Sequence, residues 1–187
     1  MRKETESTPA RSPALENGAS AIDRELATPT DLSSKERTAV TEAVNVLLAD
    51  SLALYLKTKN FHWHLSGPRF RDYHLLFDEQ AEQILESVDV LAERVRKIGG
   101  TTIRSISHVG DLQTIEDDND SFVEADAMIE RLLADNRSMA SAIREAIEIC
   151  DDNRDSPTGN ILQETLDQTE RRVWFLFEIS RRTKSAA

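Results

Sequence analysis

Residues 62–100 read HWHLSGPRFRDYHLLFDEQAEQILESVDVLAERVRKIGG, from His62 to Gly100. Gly67-Pro68 breaks the chain. From about Arg69, Tyr73, Phe77, Ala81, Ile84, Val88, Leu91 and Val95 recur at helical spacing until Gly99-Gly100 supplies the stop. Upstream, Ser33 and Glu36 stand three apart as a capping box. Val40, Val44, Leu47, Leu48, Leu54 and Tyr55 then carry a helix to about His62. Downstream, a polar stretch from Thr101 to Asp120 holds one short helix within Val109–Ile115, and Ser121 with Glu124 forms a second capping box. The helix after it runs through Met128, Leu132, Met139, Ile143, Ala146 and Cys150. Asp151 to Pro157 forms a turn, with Pro157 suited to the first helical position. Ile161, Leu162, Leu166, Val173, Trp174 and Phe177 mark a last helix to about Arg182. No strand alternation and no internal repeat is visible.

Four long helices predict an all-α four-helix bundle. The long connection between the second and third predicts a ferritin-like crossover carrying the short helix. The domain reading is a flexible tail over 1–32, the bundle over 33–183 and a short C-terminal tail over 184–187. Three of the five prolines and no apolar period fall in the first 32 residues.

The chain has 187 residues, enough for one domain with a tail. No window of consecutive apolar residues approaches a membrane span, and the N-terminus has no apolar signal region. A single cysteine, Cys150, makes neither an internal disulfide nor a thiolate zinc site, and a reducing cytoplasm is the expected compartment. The net charge of −11 argues against nucleic acid as a partner and suits a cation.

Three of the four histidines, His62, His64 and His74, fall close together among Asp72, Asp78, Glu79, Asp89 and Glu93. Imidazole plus carboxylate without thiolate is a ligand set for iron, manganese or zinc. His74 and Asp78 are four residues apart, as are Asp89 and Glu93, and all four lie on one helical stripe about 100° wide. Yet Asp78 and Asp89 are ~16 Å apart along the axis, too far for one metal centre. Two arrangements remain: two half-sites in one chain, or one site shared by two antiparallel copies of the helix. The shared site is preferred, because each half alone is poor in ligands. A two-fold axis at about position 83.5 sets His74 and Asp78 of one copy opposite Asp89 and Glu93 of the other, with His62 placed to complete the set. No Glu stands three residues before any histidine, so an intrachain di-iron site is not expected.

His62-Trp63, Gly67-Pro68-x-Phe70, His74-x-x-x-Asp78, Asp89-x-x-Ala92-Glu93-Arg94 and Gly99-Gly100 together resemble the signature of the Dps mini-ferritins, over about residues 34–183. The resemblance implies a hollow homododecamer of ferritin-like bundles. Iron would bind at each two-fold interface, between His62, His74 and Asp78 of one subunit and Asp89 and Glu93 of its neighbour. It implies Fe(II) oxidation, preferably by hydrogen peroxide, storage of ferric mineral and protection of the cell and its DNA. It also implies an oxidation-buffering place for Trp63 near the iron. Lys59, one turn before His62, is read as a hydrogen-bond donor to a site carboxylate. His64 is read as pointing elsewhere, His108 as a crossover residue, Trp63 and Trp174 as core or interface, and Asp151–Asp155 as a solvated turn rather than a pore. The alternative function is a DNA-compacting nucleoid protein. The acidic tail, with net charge −2 through Ser34, disfavours direct DNA binding.

Overall fold

In the computed structural model, which describes residues 25–183, the first long helix, α1 (Ser34–His64), opens on the expected capping box. The Glu36 N–H donates to Ser33 Oγ at 3.3 Å and the Ser33 N–H donates to Glu36 Oε2 at 2.7 Å. Arg154 Nε adds a bond to Glu36 Oε1 at 2.7 Å. Arg154 is the chief reason the Glu36 carboxyl falls from 4.5 to about 2. The folded value lies below the unfolded one, so this stabilisation is full above about pH 4.5 and lost as pH falls towards 2. The thermal-stability gap between wild type and Glu36→Gln, followed by circular dichroism, should therefore be widest near neutrality and close between about pH 4.5 and 2.

Leu65 ends α1, and Gly67, at φ +111°, turns the chain ahead of Pro68 into α2 (Phe70–Lys97). α2 stops as its two glycines predict. The Gly99 N–H donates to the Arg96 carbonyl and the Gly100 N–H to the Val95 carbonyl, both at 3.0 Å, with Gly99 at φ +80°. A side chain at Gly100 would also meet Thr41 Oγ1 at 2.2 Å, so glycine lets α1 and the stop of α2 pack closely.

The short crossover helix, α3 (Ile106–Leu112), begins three residues before the expected stretch and ends three before its limit, because Ser105 caps it through the His108 N–H. α4 (Ala125–Asp152) has no capping box: Ser121 lies outside the helix, and Glu124 is an N-cap without a side-chain hydrogen bond. The intervening Val123 is drawn into the core instead. α5 (Ser156–Thr183) makes Pro157 its second residue, not its first, because Asp155 takes the capping role. Its Oδ1 accepts the Thr158 N–H at 3.2 Å and its carbonyl accepts the Gly159 N–H.

α1 pairs with α2 and α4 with α5, while α1 also faces α4, α2 faces α5, and α3 lies against α1. Arg69, just before α2, binds Asp126 at the start of α4 at 2.7 Å, and Arg94 near the end of α2 binds Asp155 at the start of α5. α2 and α4 thus run parallel, and the crossover must travel back along α2, ~42 Å for its 28 residues. Asp50, buried in the middle of α1, fastens it: the Thr114 N–H, Thr114 Oγ1 and the Ile115 N–H donate to its carboxylate at 2.6, 2.8 and 3.0 Å. Asp50→Ala leaves these donors without an acceptor and should cost about 2–4 kcal/mol in urea denaturation.

The core falls into two groups. Val44, Leu48, Leu91, Val95, Ile143 and Leu162 centre one, and Leu54, Phe61, Phe77, Ile84, Leu132 and Leu176 the other. Because α1 packs on three neighbours, it is apolar on more than one side. By length and composition it is long and apolar enough to cross a membrane, contrary to the reading from consecutive residues, and 56% of that window is buried inside the bundle.

Residues 1–24 and 184–187, and the tail readings made for them, lie outside the described residues. Within the stretch 1–32 expected to be flexible, three residues, Leu26, Thr28 and Leu32, contact the bundle. Thr28 Oγ1 donates to the Arg96 carbonyl, Arg96 donates to the Leu26 carbonyl, and Leu32 packs on the core. The arginine near the end of α2 supplies what composition could not reveal.

Candidate metal centre

The Gly67-Pro68 turn folds the second turn of α2 back against the last turn of α1, which brings His74 onto His62. The rings stack with centroids 3.7 Å apart and planes 19° from parallel, and Phe70 stacks on the outer side of His74 at 4.9 Å. Each ring also addresses the other residue's backbone: His62 Nδ1 lies 2.9 Å from the His74 carbonyl, and His74 Nδ1 lies 3.1 Å from the His62 carbonyl. A carbonyl only accepts, so Nδ1 carries the proton in both rings. With Nδ1 as donor, Nε2 is the ring nitrogen that can offer a lone pair to a metal ion. The His62 carbonyl sits in the last turn of α1, where helical carbonyls lack an intrahelical partner. The same bond therefore satisfies the helix end and orients the ring.

Asp78, one turn beyond His74, places Oδ1 3.8 Å from His62 Nε2 and accepts a bond from Lys59 Nζ at 2.6 Å. Lys59 is the main reason its carboxyl lies below the ordinary aspartate range, with the two histidines adding to the effect. Lys59 thus bonds the Asp78 carboxylate and favours its ionised form, the form in which a carboxylate can bind a metal ion.

Asp89 and Glu93 do not join this group within one chain. They are exposed farther along α2, and among the described residues Glu93 pairs only with Lys97, at 3.0 Å. Among the described residues, no group of three or more histidine, cysteine or acidic side chains is arranged to hold a metal ion. His62, His74 and Asp78 are therefore brought together as an incomplete set.

Trp63 is 59% and Trp174 60% exposed, so neither belongs to the core. His64 is exposed and turns back to the Asn60 carbonyl, away from His62. His108 lies in α3, far along the chain from the pair. Asp155 departs from the solvated-turn reading, since it is buried and held by Arg94 and Thr158. Its signal was legible: an aspartate just ahead of Ser156-Pro157-Thr158 marks a helix N-cap. Cys150 is buried, and its thiol is pushed up to about 12 by desolvation, so it is no thiolate ligand.

A bundle with a long crossover between parallel second and third helices, bearing histidine and carboxylate at one end of a helix pair, defines a ferritin-like protein. The ferritin-like domain family matches residues 41–186, and the chain belongs to it. Within that family the chain is a Dps-type mini-ferritin. It is 33% identical over 159 residues to the DNA protection during starvation protein of Agrobacterium fabrum, covering 80% of this chain and 92% of the relative. DpsC from Streptomyces coelicolor superimposes with a TM-score of 0.78 at 30% identity, over 81% of this chain and 88% of that one. A Dps protein from Bacillus brevis does so with a TM-score of 0.76 at 26% identity, over 79% and 99%.

Proposed function

We propose that this protein is a ferroxidase and iron-storage protein. Two Fe(II) ions, its substrate, bind between His62, His74 and Asp78 of one subunit and Asp89 and Glu93 of a two-fold-related copy. The observation that carries this reading is the stacked histidine pair, with both Nε2 atoms set free by carbonyl bonds and an ionised Asp78 alongside. That donor set suits iron and is incomplete in one chain. The exposed stripe of α2 offers the missing half, because Asp89 and Glu93 stand there with exposed Leu75 and Leu85. An axis near Leu85 covers apolar surface and closes the site in one step.

The chemistry is a two-electron transfer. Each Fe(II) gives up one electron, one hydrogen peroxide accepts both with two protons, and its O–O bond breaks to leave two waters and two Fe(III). Delivery in pairs avoids the hydroxyl radical that a single electron would release. The residues of this chain contribute orientation and charge. The carbonyl-locked imidazoles present fixed lone pairs, and the carboxylates favour the higher charge of Fe(III). Lys59 holds Asp78 deprotonated. Trp63, beside His62 in the chain and exposed, is positioned to take up stray oxidising equivalents.

Family resemblance supports a hollow dodecamer that stores ferric mineral and protects the cell and its DNA, and the single cysteine suits a reducing cytoplasmic setting. Direct DNA compaction is the lesser reading, since a chain of net charge −11 repels phosphate. The test is anaerobic addition of Fe(II) to purified protein followed by hydrogen peroxide, with the particle sized by light scattering. About two Fe(II) should be oxidised per peroxide by a dodecamer-sized particle, with no radical adduct in a spin trap. One-to-one consumption with adduct formation would refute paired oxidation.

A further inference from the structure

A second polar feature lies at the opposite ends of α1 and α2 from the histidines. A cavity of about 770 Å³ opens between the start of α1, the stop of α2 and α3, and its lining includes Arg37, Thr41, Asn45, Arg104 and His108. Four of these carry a buried polar atom with no hydrogen-bond partner: Arg37 Nε, Thr41 Oγ1, Asn45 Oδ1 and His108 Nδ1. Thr102 Oγ1, next in sequence to the lining Thr101, is a fifth. Buried polar atoms in folded chains nearly always find partners, so this concentration at one cavity points to an occupant.

The chemistry of the wall defines that occupant. Its lining holds two arginines, Arg37 and Arg104, and a single carboxylate residue, Glu42, on a chain whose net charge is −11. Arg37 spends one nitrogen on Ser34 Oγ at 3.2 Å, and Arg104 makes no ion pair among the described residues. Arg37 Nε–H and the Thr41 hydroxyl are donors. Asn45 Nδ2 already donates to the Thr101 carbonyl at 2.9 Å, which assigns the amide orientation and leaves Oδ1 to accept. An occupant that matches is anionic, accepts from a guanidinium and a hydroxyl, and offers one O–H of its own.

We propose that this cavity binds inorganic phosphate in its monohydrogen form, with Arg37, Thr41 and Asn45 as inner contacts and the exposed Arg104 at the mouth. A phosphodiester fits less well. It has no O–H for Asn45, and a duplex cannot carry its phosphates to atoms this shielded. The same shielding means that Arg37 and His108 rotate to admit the anion, so the His108 ring reports on binding. The assignment is independent of the iron reading, because it uses neither the histidine pair nor a metal.

The test is titration of iron-free, full-length protein with inorganic phosphate in phosphate-free buffer, by calorimetry, ³¹P NMR and the His108 ring resonances. Saturable binding with a shift at His108 is expected. It should weaken at least about tenfold in Arg37→Gln and in Thr41→Val, the latter keeping the packed shape beside Gly100. A linear, non-saturating response in wild type would overturn the proposal, as would binding unchanged in both variants. Loss in Arg104→Gln alone would place the anion on the surface and overturn the buried site. Displacement of phosphate by a DNA duplex at equal phosphate concentration would overturn the assignment to a small free anion.

Discussion

Replacing Asp89 and Glu93 together with alanine should slow peroxide-driven Fe(II) oxidation by about 10²-fold or more while the bundle keeps its fold. Both side chains are exposed, and the one ion pair lost, Glu93 with Lys97, is a surface pair worth about 0–1 kcal/mol. Stability should therefore barely change, which separates loss of a ligand from loss of structure. The same double variant decides between the two arrangements left open by helix geometry. Co-expressed with His74→Ala/Asp78→Ala, it would form mixed dimers in which one of two shared sites is intact. About a quarter of wild-type activity should then return, since roughly half of all dimers are mixed. Two half-sites within each chain would show no such recovery, and the mixture would equal the mean of its parents.

Asp155→Ala should cost about 3–5 kcal/mol in urea denaturation, although the residue lies far from the histidines. Arg94 NH2 donates to Asp155 Oδ1 at 2.5 Å and Arg94 Nε to Thr158 Oγ1 at 2.6 Å, while Asp155 accepts the Thr158 hydroxyl at 2.5 Å and caps α5. Asp155 is 1% exposed. Truncating it leaves a largely buried guanidinium without its counter-charge and a helix without its cap, two penalties of the same sign. Asp155→Asn keeps the cap and the shape and should cost clearly less. A loss below about 1 kcal/mol for the alanine variant would show that Arg94 finds another partner. If the proposed iron site is correct, the pair also bears on it, because Arg94 follows Glu93 and ties that end of α2 to α5. A smaller fall in oxidation rate should accompany the stability loss.

Much of the fold was legible because helices announce themselves locally. The apolar stripe from Tyr73 to Val95, the Ser33–Glu36 box and the Gly99-Gly100 stop each depend on residues a few positions apart, and all three are present as read. Readings failed where a distant partner outweighed a local signal. Ser121 lost its capping role because Val123 is drawn into the core, and Pro157 moved inward because Asp155, held by Arg94, sets the start of α5. Leu26 and Thr28 look like tail by composition, yet both hydrogen-bond to Arg96. The meeting of His62 and His74 at the Gly67-Pro68 turn belongs to both categories. The sequence spacing brings the residues near, and only packing of α2 on α1 stacks the rings.

By itself the sequence pointed to a helical bundle with a long crossover, and its spacing set His74, Asp78, Asp89 and Glu93 on one helical stripe, with donors that suit iron, manganese or zinc. The resemblance to the Dps signature is what joined His62 to them as a set of iron ligands. The tertiary structure alone decided the hydrogen bonds around the two histidines. Each Nδ1 is committed to the carbonyl of the facing helix, and Lys59 is committed to Asp78. It also decided that Asp50 anchors the crossover and that orphaned polar atoms gather around one cavity between Arg37 and His108. Such contacts join residues 12 to about 70 positions apart. Their geometry follows from how whole helices pack, and no local pattern of side chains encodes it.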